Sequence, residues 1–192
     1  AIGNANCDDA VVQKQLNVFN EPVANAGSDG ETCVDQNFTI NDASANYQSS
    51  VYWEITSGGG SLANGNTLTP TYTPAPGDAG TTVVLTLHAL GNANCDEATD
   101  QMNLDVYALP IADAGQDEET CVDKPFTISD AAPANYASLQ WTIVSGNGAL
   151  TNATTLTPTY TPDVTDAGTT VVLELEAIGN ANCASDFDQM NV

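Results

Sequence analysis

The sequence predicts an all-β protein built from tandem β-sandwich units, and three observations carry that prediction. The stretch Ala89-Leu90-Gly91-Asn92-Ala93-Asn94-Cys95 recurs as Ala1 to Cys7 and as Ala177 to Cys183, so Cys7, Cys95 and Cys183 lie 88 residues apart. Cys33 and Cys121 keep the same period, as do Trp53 and Trp141. Such a fixed spacing marks a repeat array. Apolar residues alternate with a period of two in run after run, and no helical pattern of useful length is visible. Segments rich in Gly, Pro, Thr and Asn separate these runs as turns do. The period divides the 192 residues into residues 1–20, the C-terminal end of a preceding repeat; residues 21–108, a first unit; and residues 109–192, a second unit whose last strand is truncated. A unit of 88 residues is small enough to be marginal without a covalent staple.

Charge narrows the function classes. Twenty-five acidic residues face two lysines and no arginine, a net charge of −23 that repels phosphate backbones and excludes nucleic acid as a partner. Attraction to anionic lipid is absent for the same reason. Direct membrane insertion is not expected, because no run reaches the roughly 18 apolar residues that span a bilayer. With no initiator Met or charged and apolar leader, the chain reads as a mature product or an internal window. Cysteines at fixed spacing in small β units, without a CxxC pair, read as disulfides of an oxidising, extracellular compartment. The single His88 is replaced by Glu176 in the second copy, so no repeated zinc site is expected.

In chain order, residues 1–20 match the end of each later unit: Ala1 to Cys7, a polar stretch, then Leu16-Asn17-Val18-Phe19. Pro22 to Gly27, copied as Pro110 to Gly115, suits an edge strand under a proline. Phe38-Thr39-Ile40 and Phe126-Thr127-Ile128 are the first inner-sheet candidates. In Val51 to Thr56 the residues Val51, Trp53 and Ile55 share one face, and the second copy, Leu139 to Val144, keeps that face apolar. Trp53 and Trp141 are therefore expected as core anchors, not as stacking platforms for a ligand. Ser57-Gly58-Gly59-Gly60-Ser61-Leu62 predicts a tight hairpin. A phosphate cradle would need a helix to follow, and the prolines and threonines of Thr67 to Pro74 offer none. After the turn Gly77 to Gly80, Val83, Leu85, Leu87 and Ala89 line one face. Thr86 and His88 become Glu174 and Glu176, which marks the other face as wet and His88 as an exposed strand residue, not a general base. Gln101 to Tyr107 alternates again and reaches Pro110 through only Ala108 and Leu109. So short a joint predicts a semi-rigid linear rod, each unit adding about 35 to 45 Å.

With these elements in place, the chain resembles the PKD-like, immunoglobulin-like repeats in giant surface adhesins of gliding and surface-attached bacteria. The resemblance covers both units. It rests on Pro-x-Ala-x-Ala-Gly-x-Asp (Pro22 to Asp29) with its second copy from Pro110, on Cys33 and Cys121, on the strand tryptophan, on Tyr72-Thr73-Pro74 and Tyr160-Thr161-Pro162 before a glycine turn, and on Cys95 and Cys183. It implies seven-stranded sandwiches used as stalks or filaments outside the cell. The chain departs from the usual pattern in carrying Ser57-Gly58-Gly59-Gly60 where Gly-Asp-Gly often follows the tryptophan strand.

Two disulfide frames fit the period: within a unit (Cys33–Cys95 and Cys121–Cys183) or across a joint (Cys7–Cys33 and Cys95–Cys121). Loop entropy separates them little, about 4.3 against about 3.6 kcal/mol. The resemblance, and the need of a small sandwich for its own staple, point to the intra-unit frame, with Cys7 paired to a preceding part of the chain. Asp29, Glu31, Asp117 and Glu119, just after the opening strand with Glu118 beside them, are candidates for a joint-stiffening calcium, although no DxDxDG loop is present. A solvated acidic surface accounts for the same residues, and no other cofactor is expected. Lys14 aligns with Met102 and Lys124 with Gln36, which excludes a lysine-to-asparagine isopeptide bond repeated from unit to unit.

The expected function is a structural stalk or filament segment of a long extracellular repeat adhesin, without catalysis. Its partners would be neighbouring repeats of the same chain and other copies in a surface filament. The alternative is a carbohydrate-binding accessory module of a secreted enzyme, with an exposed aromatic such as Tyr52 as its contact.

Overall fold

The alternating runs become the long strands of two sandwiches in the computed structural model, which describes residues 11–192. The repeat copy at Ala1 to Cys7, and with it the pairing expected for Cys7, lies outside the described residues. In the first unit the strands are β1 Val23–Asn25, β2 Gly30–Cys33, β3 Phe38–Thr39, β4 Ser44–Asn46, β5 Ser50–Ser57, β6 Ser61–Ala63, β7 Thr71–Thr73, β8 Thr81–Leu90 and β9 Ala98–Tyr107. One sheet has the order β2-β9-β8-β5 and the opposing one β3-β7-β6, with β1 and β4 paired beside them. Strand β2 runs parallel to β9, in the register Gly30 to Leu104 and Cys33 to Tyr107. All other pairings in the unit are antiparallel.

Because successive side chains on a strand point to opposite faces, β8 buries Val83, Leu85, Leu87 and Ala89 completely. Trp53 on β5 stands opposite Leu87 and, with Ile40, Tyr72, Met102 and Leu104, closes the core. Its indole N–H donates to the Thr67 carbonyl at 3.0 Å, so the large ring is buried without orphaning its polar atom. Each fully buried leucine contributes about 1.5 to 3 kcal/mol.

The second unit repeats the plan with β10 Phe126–Thr127, β11 Tyr136–Ser145, β12 Ala149–Thr151, β13 Thr159–Thr161, β14 Val172–Gly179 and β15 Asp186–Asn191. Its sheets are β11-β14-β15 and β10-β13-β12. Trp141, Tyr160, Leu173, Leu175 and Met190 fill a separate core. The counterpart of the β1–β4 pair is a single bridge between Ile111 and Ala134.

Two local expectations are overturned. The glycine run after β5 is not a hairpin: β5 pairs with β8 while β6 pairs with β7, so Gly58 to Gly60 carry the chain from one sheet to the other. Gly60 is required there, since a Cβ would lie 2.3 Å from the Thr73 carbonyl oxygen and 2.5 Å from the Tyr72 hydroxyl. Nor is the even face of β8 wholly wet. Thr86 is buried under contacts with Thr56 and Gln101 from the flanking strands, and the His88 side chain is only 12% exposed. His88 stacks on Tyr52 at 4.3 Å and sits between Glu54 and Glu97.

Candidate functional site at the joint between the units

Among the described residues one disulfide, Cys33–Cys183, crosses from the first unit to the second, with 4.9 Å between the Cα atoms. This overturns the expected Cys33–Cys95 and Cys121–Cys183 bonds, and it belongs to neither frame read from the spacing. The reason lies in β2. Its parallel pairing sets Cys33 beside Tyr107, at the end of β9 that leads into the second unit. Cys95 precedes β9 at the opposite end, and ten residues of strand span about 33 Å. A disulfide needs Cα atoms roughly 4.4 to 6.8 Å apart, so Cys33 and Cys95 cannot meet. Among the described residues, Cys95 and Cys121 carry no disulfide.

The repeated Gly-Asn-Ala-Asn-Cys stretch builds the second unit's side of the joint. It is the loop between β14 and β15, and Gly179 lets it fold back: a Cβ there would meet the Cys183 carbonyl oxygen at 2.5 Å. Ala181 takes a left-handed φ of 47°, a conformation a non-glycine residue adopts only where its surroundings hold it. Asn180 donates through Nδ2 to the Asn135 carbonyl at 3.1 Å, and the Cys183 N–H donates to the Asn180 carbonyl at 2.9 Å. Asn182 then reaches across the joint, where its Oδ1 accepts the Cys33 N–H at 2.7 Å. On the linker side, Cys183 Sγ lies 3.6 Å from the Ala108 carbonyl oxygen, and the Val34 N–H donates to the Tyr107 carbonyl at 2.9 Å. Both bonded cysteines are buried. Chemically the joint is a covalent clamp: one bond, one cross-unit hydrogen bond and a two-residue linker.

Of the acidic candidates, Asp29 and Glu31 bond to residues of β9, which leads into the joint, whereas Asp117 and Glu119 lie at the far end of the second unit, beside Cys121. Asp29 accepts from the Asn103 backbone N–H at 2.8 Å and from its Nδ2 at 3.4 Å. Asp117 repeats this with Asn191 at 2.8 Å for both, and the Asn191 side chain and N–H hold the Asp117 carboxyl below its usual range against slight burial. Glu31 accepts from the Tyr107 hydroxyl at 3.4 Å, and Glu119 is exposed. Among the described residues no three potential metal ligands come together. Trp53 and Trp141 lie in the two cores, and one face of Tyr52 is covered by the His88 ring.

Sequence reasoning missed a second repeated constellation. Asp78, read only as part of a glycine turn, is 3% exposed and accepts from the Tyr72 hydroxyl at 2.7 Å, the Gly59 N–H at 2.7 Å and the Ala75 N–H at 2.8 Å. Asp166 does the same with Tyr160, Asn147 and Asp163. The recurrence of Tyr and Asp six residues apart in both copies was the available signal.

No protein-family model matches the chain, and no curated protein matches it. Solved structures do. The chain is similar in fold to the immunoglobulin domains 1–5 of Sidekick-1, with a TM-score of 0.53 and 15% identity over 91% of this chain and 39% of that one. It is similar also to Drosophila N-cadherin EC1-4, with a TM-score of 0.50 and 11% identity over 91% of this chain and 49% of that one. The chain thus spans less than half the length of either. At such identities the likeness shows the fold: tandem immunoglobulin-like β-sandwiches.

Proposed function

We propose that the chain is a structural segment of a long extracellular repeat protein of the surface-adhesin kind, a non-enzymatic stalk in which immunoglobulin-like units are clamped end to end. The observation that carries this reading is the Cys33–Cys183 bond, because a disulfide spent between units restrains their relative placement. An oxidising compartment suits such a bond, and a charge of −23 keeps an extended chain soluble and unaggregated.

Small-angle scattering tests it. The oxidised protein is expected to show a narrow distance distribution with a maximum near 70 to 90 Å, two units end to end. The double variant C33S/C183S is expected to show a broader distribution as the joint is released. A folded-back particle well short of that maximum, or identical profiles for the two proteins, would overturn the stalk reading.

A further inference from the structure

Charged residues make up 14% of the chain, yet residues 131–162 contain none. Every acid of the second unit, and its one lysine, lies before or after that stretch. Its counterpart in the first unit, residues 43–74, contains only Glu54. In the fold the stretch supplies one side of the second unit. Strand β11 ends the sheet β11-β14-β15, β12 ends the sheet β10-β13-β12, and the crossing at Gly146 to Gly148 joins them, so the two end strands lie on the same side of the sandwich. Strand β15, which runs to the C-terminus, is on the far side of β14.

An unpaired strand edge is ordinarily guarded by charge, by proline or by a covering segment. Strands β11 and β12 contain neither a charged residue nor a proline. The guard on β11 is a covering segment. The Trp141 N–H donates to the Ala153 carbonyl at 2.7 Å and its indole N–H to the Thr155 carbonyl at 3.2 Å, which lays Asn152 to Leu156 across the middle of the strand. Another strand cannot be added there, so what this side offers a partner is side chains. Between the covering segment and the start of β11 is an open groove of about 430 Å³, bordered by Tyr136, Ser138, Leu139, Thr154, Leu156 and Ile178. Leu139 is buried, and Leu156, on the covering segment, is 44% exposed.

An uncharged groove alone would suit a small neutral ligand, but the loss of charge extends far beyond the groove, through β12 and β13. Absence of charge over a whole side matters most for a partner that is itself strongly acidic. With a charge of −23, two copies of this chain repel one another, and a symmetric contact through Glu174, Glu176, Asp186 or Asp188 sets carboxylate against carboxylate. A two-fold contact presents the same patch from both copies, so the side without charge is the one on which two copies can meet. We infer that two copies of the protein associate side by side through the β11–β12 side of their second units, with Leu156 of each copy packed against the groove of the other. The inference rests on the stalk reading, to which it adds lateral pairing. It is judged from particle mass, whereas the stalk is judged from particle shape.

Sedimentation equilibrium tests it on the protein with the Cys33–Cys183 bond intact and its unbonded thiols alkylated by iodoacetamide. Mass is expected to rise from monomer to dimer with concentration. The dissociation constant should fall severalfold between about 20 and about 300 mM NaCl, because salt screens the repulsion between acidic copies and removes no attraction from an uncharged contact. Leu156→Asp should raise the dissociation constant at least tenfold, and Ser138→Asp, at an exposed position on the groove, should act in the same direction. Phe187→Asp, at an apolar residue 54% exposed on β15, should change it less than twofold. A protein that stays monomeric at millimolar concentration, a dimer that salt weakens, or equal sensitivity to Leu156→Asp and Phe187→Asp would overturn the inference, and a monomer of two units end to end would leave the stalk reading standing.

Discussion

Asp78 keeps a charge inside a sandwich on hydrogen bonds alone, and the consequences belong to the residue scale. Burial acts to raise its carboxyl, but the Tyr72 hydroxyl and the N–H groups of Ala75, Gly59 and Gly60 outweigh it and hold the carboxyl below its ordinary value of 3.8. For Asp166 the Tyr160 hydroxyl is the leading cause of the same lowering. Burial, with the bond to the aspartate, pushes both tyrosines up to about 12. Removing the hydroxyl leaves a buried carboxylate short of a donor, and bonds to charged groups contribute about 1.5 to 3 kcal/mol. Tyr72→Phe is therefore expected to destabilise the first unit by that amount in urea unfolding. A loss below about 0.5 kcal/mol would show that water replaces the donor. The pH dependence follows from the directions. A lowered aspartate stabilises the folded state above its unfolded pKa, so stability declines as pH falls below about 4. A raised tyrosine stabilises it below pH 10, and that contribution is lost as pH climbs from 10 through about 12. Thermal midpoints should thus hold level between about pH 5 and 9 and fall on both sides. Phe at both tyrosines should flatten much of the alkaline limb.

At the scale of the element, the central strands were legible because burial on one face writes itself as alternation. Val83, Leu85, Leu87 and Ala89 are all fully buried, as their spacing requires. What alternation does not encode is the partner of a short strand. Nothing in Gly30 to Cys33 marks a parallel neighbour, and that pairing alone moves Cys33 to the far end of the unit and changes the disulfide frame. The glycine run misled for a related reason: Gly58 to Gly60 supply turn conformations, but the choice between a hairpin and a crossing is made by Tyr72 and Asp78 packing beneath them. The Gly-Asn-Ala-Asn-Cys loop was legible as a repeat, whereas the destination of its cysteine was not. Gly179→Ala tests its geometry. A Cβ 2.5 Å from the Cys183 carbonyl oxygen must push the loop open, so the Cys33–Cys183 bond should be reduced by dithiothreitol severalfold faster. Gly91→Ala makes the same clash at Cys95, far from the bond, and should leave the rate unchanged. Equal rates in all three proteins would show that the glycine does not set the clamp.

At the scale of the whole molecule, one bond between two separately cored units stabilises both. When the first unit unfolds while the second stays folded, Cys183 remains fixed beside Ala108, so the unfolded segment from Cys33 to Ala108 is a closed loop. When the second unit unfolds instead, Cys33 remains fixed beside Tyr107, and the segment from Leu109 to Cys183 closes in the same way. The two loops are of similar length, and the chain-closure model gives each about 4.4 kcal/mol. An intra-unit bond would serve its own unit alone. The shared clamp instead makes each unit's stability depend on its neighbour being folded, which raises cooperativity along an array that otherwise adds up unit by unit. In scanning calorimetry the oxidised protein should melt in one transition or two close ones, and C33S/C183S should lower the melting of both units by at least about 10 °C. Tryptophan fluorescence of W141F, which reports Trp53, and of W53F, which reports Trp141, would follow the two units separately. If only one of the two melting curves moved, the bond would be acting inside a single unit and the shared-clamp account would fail.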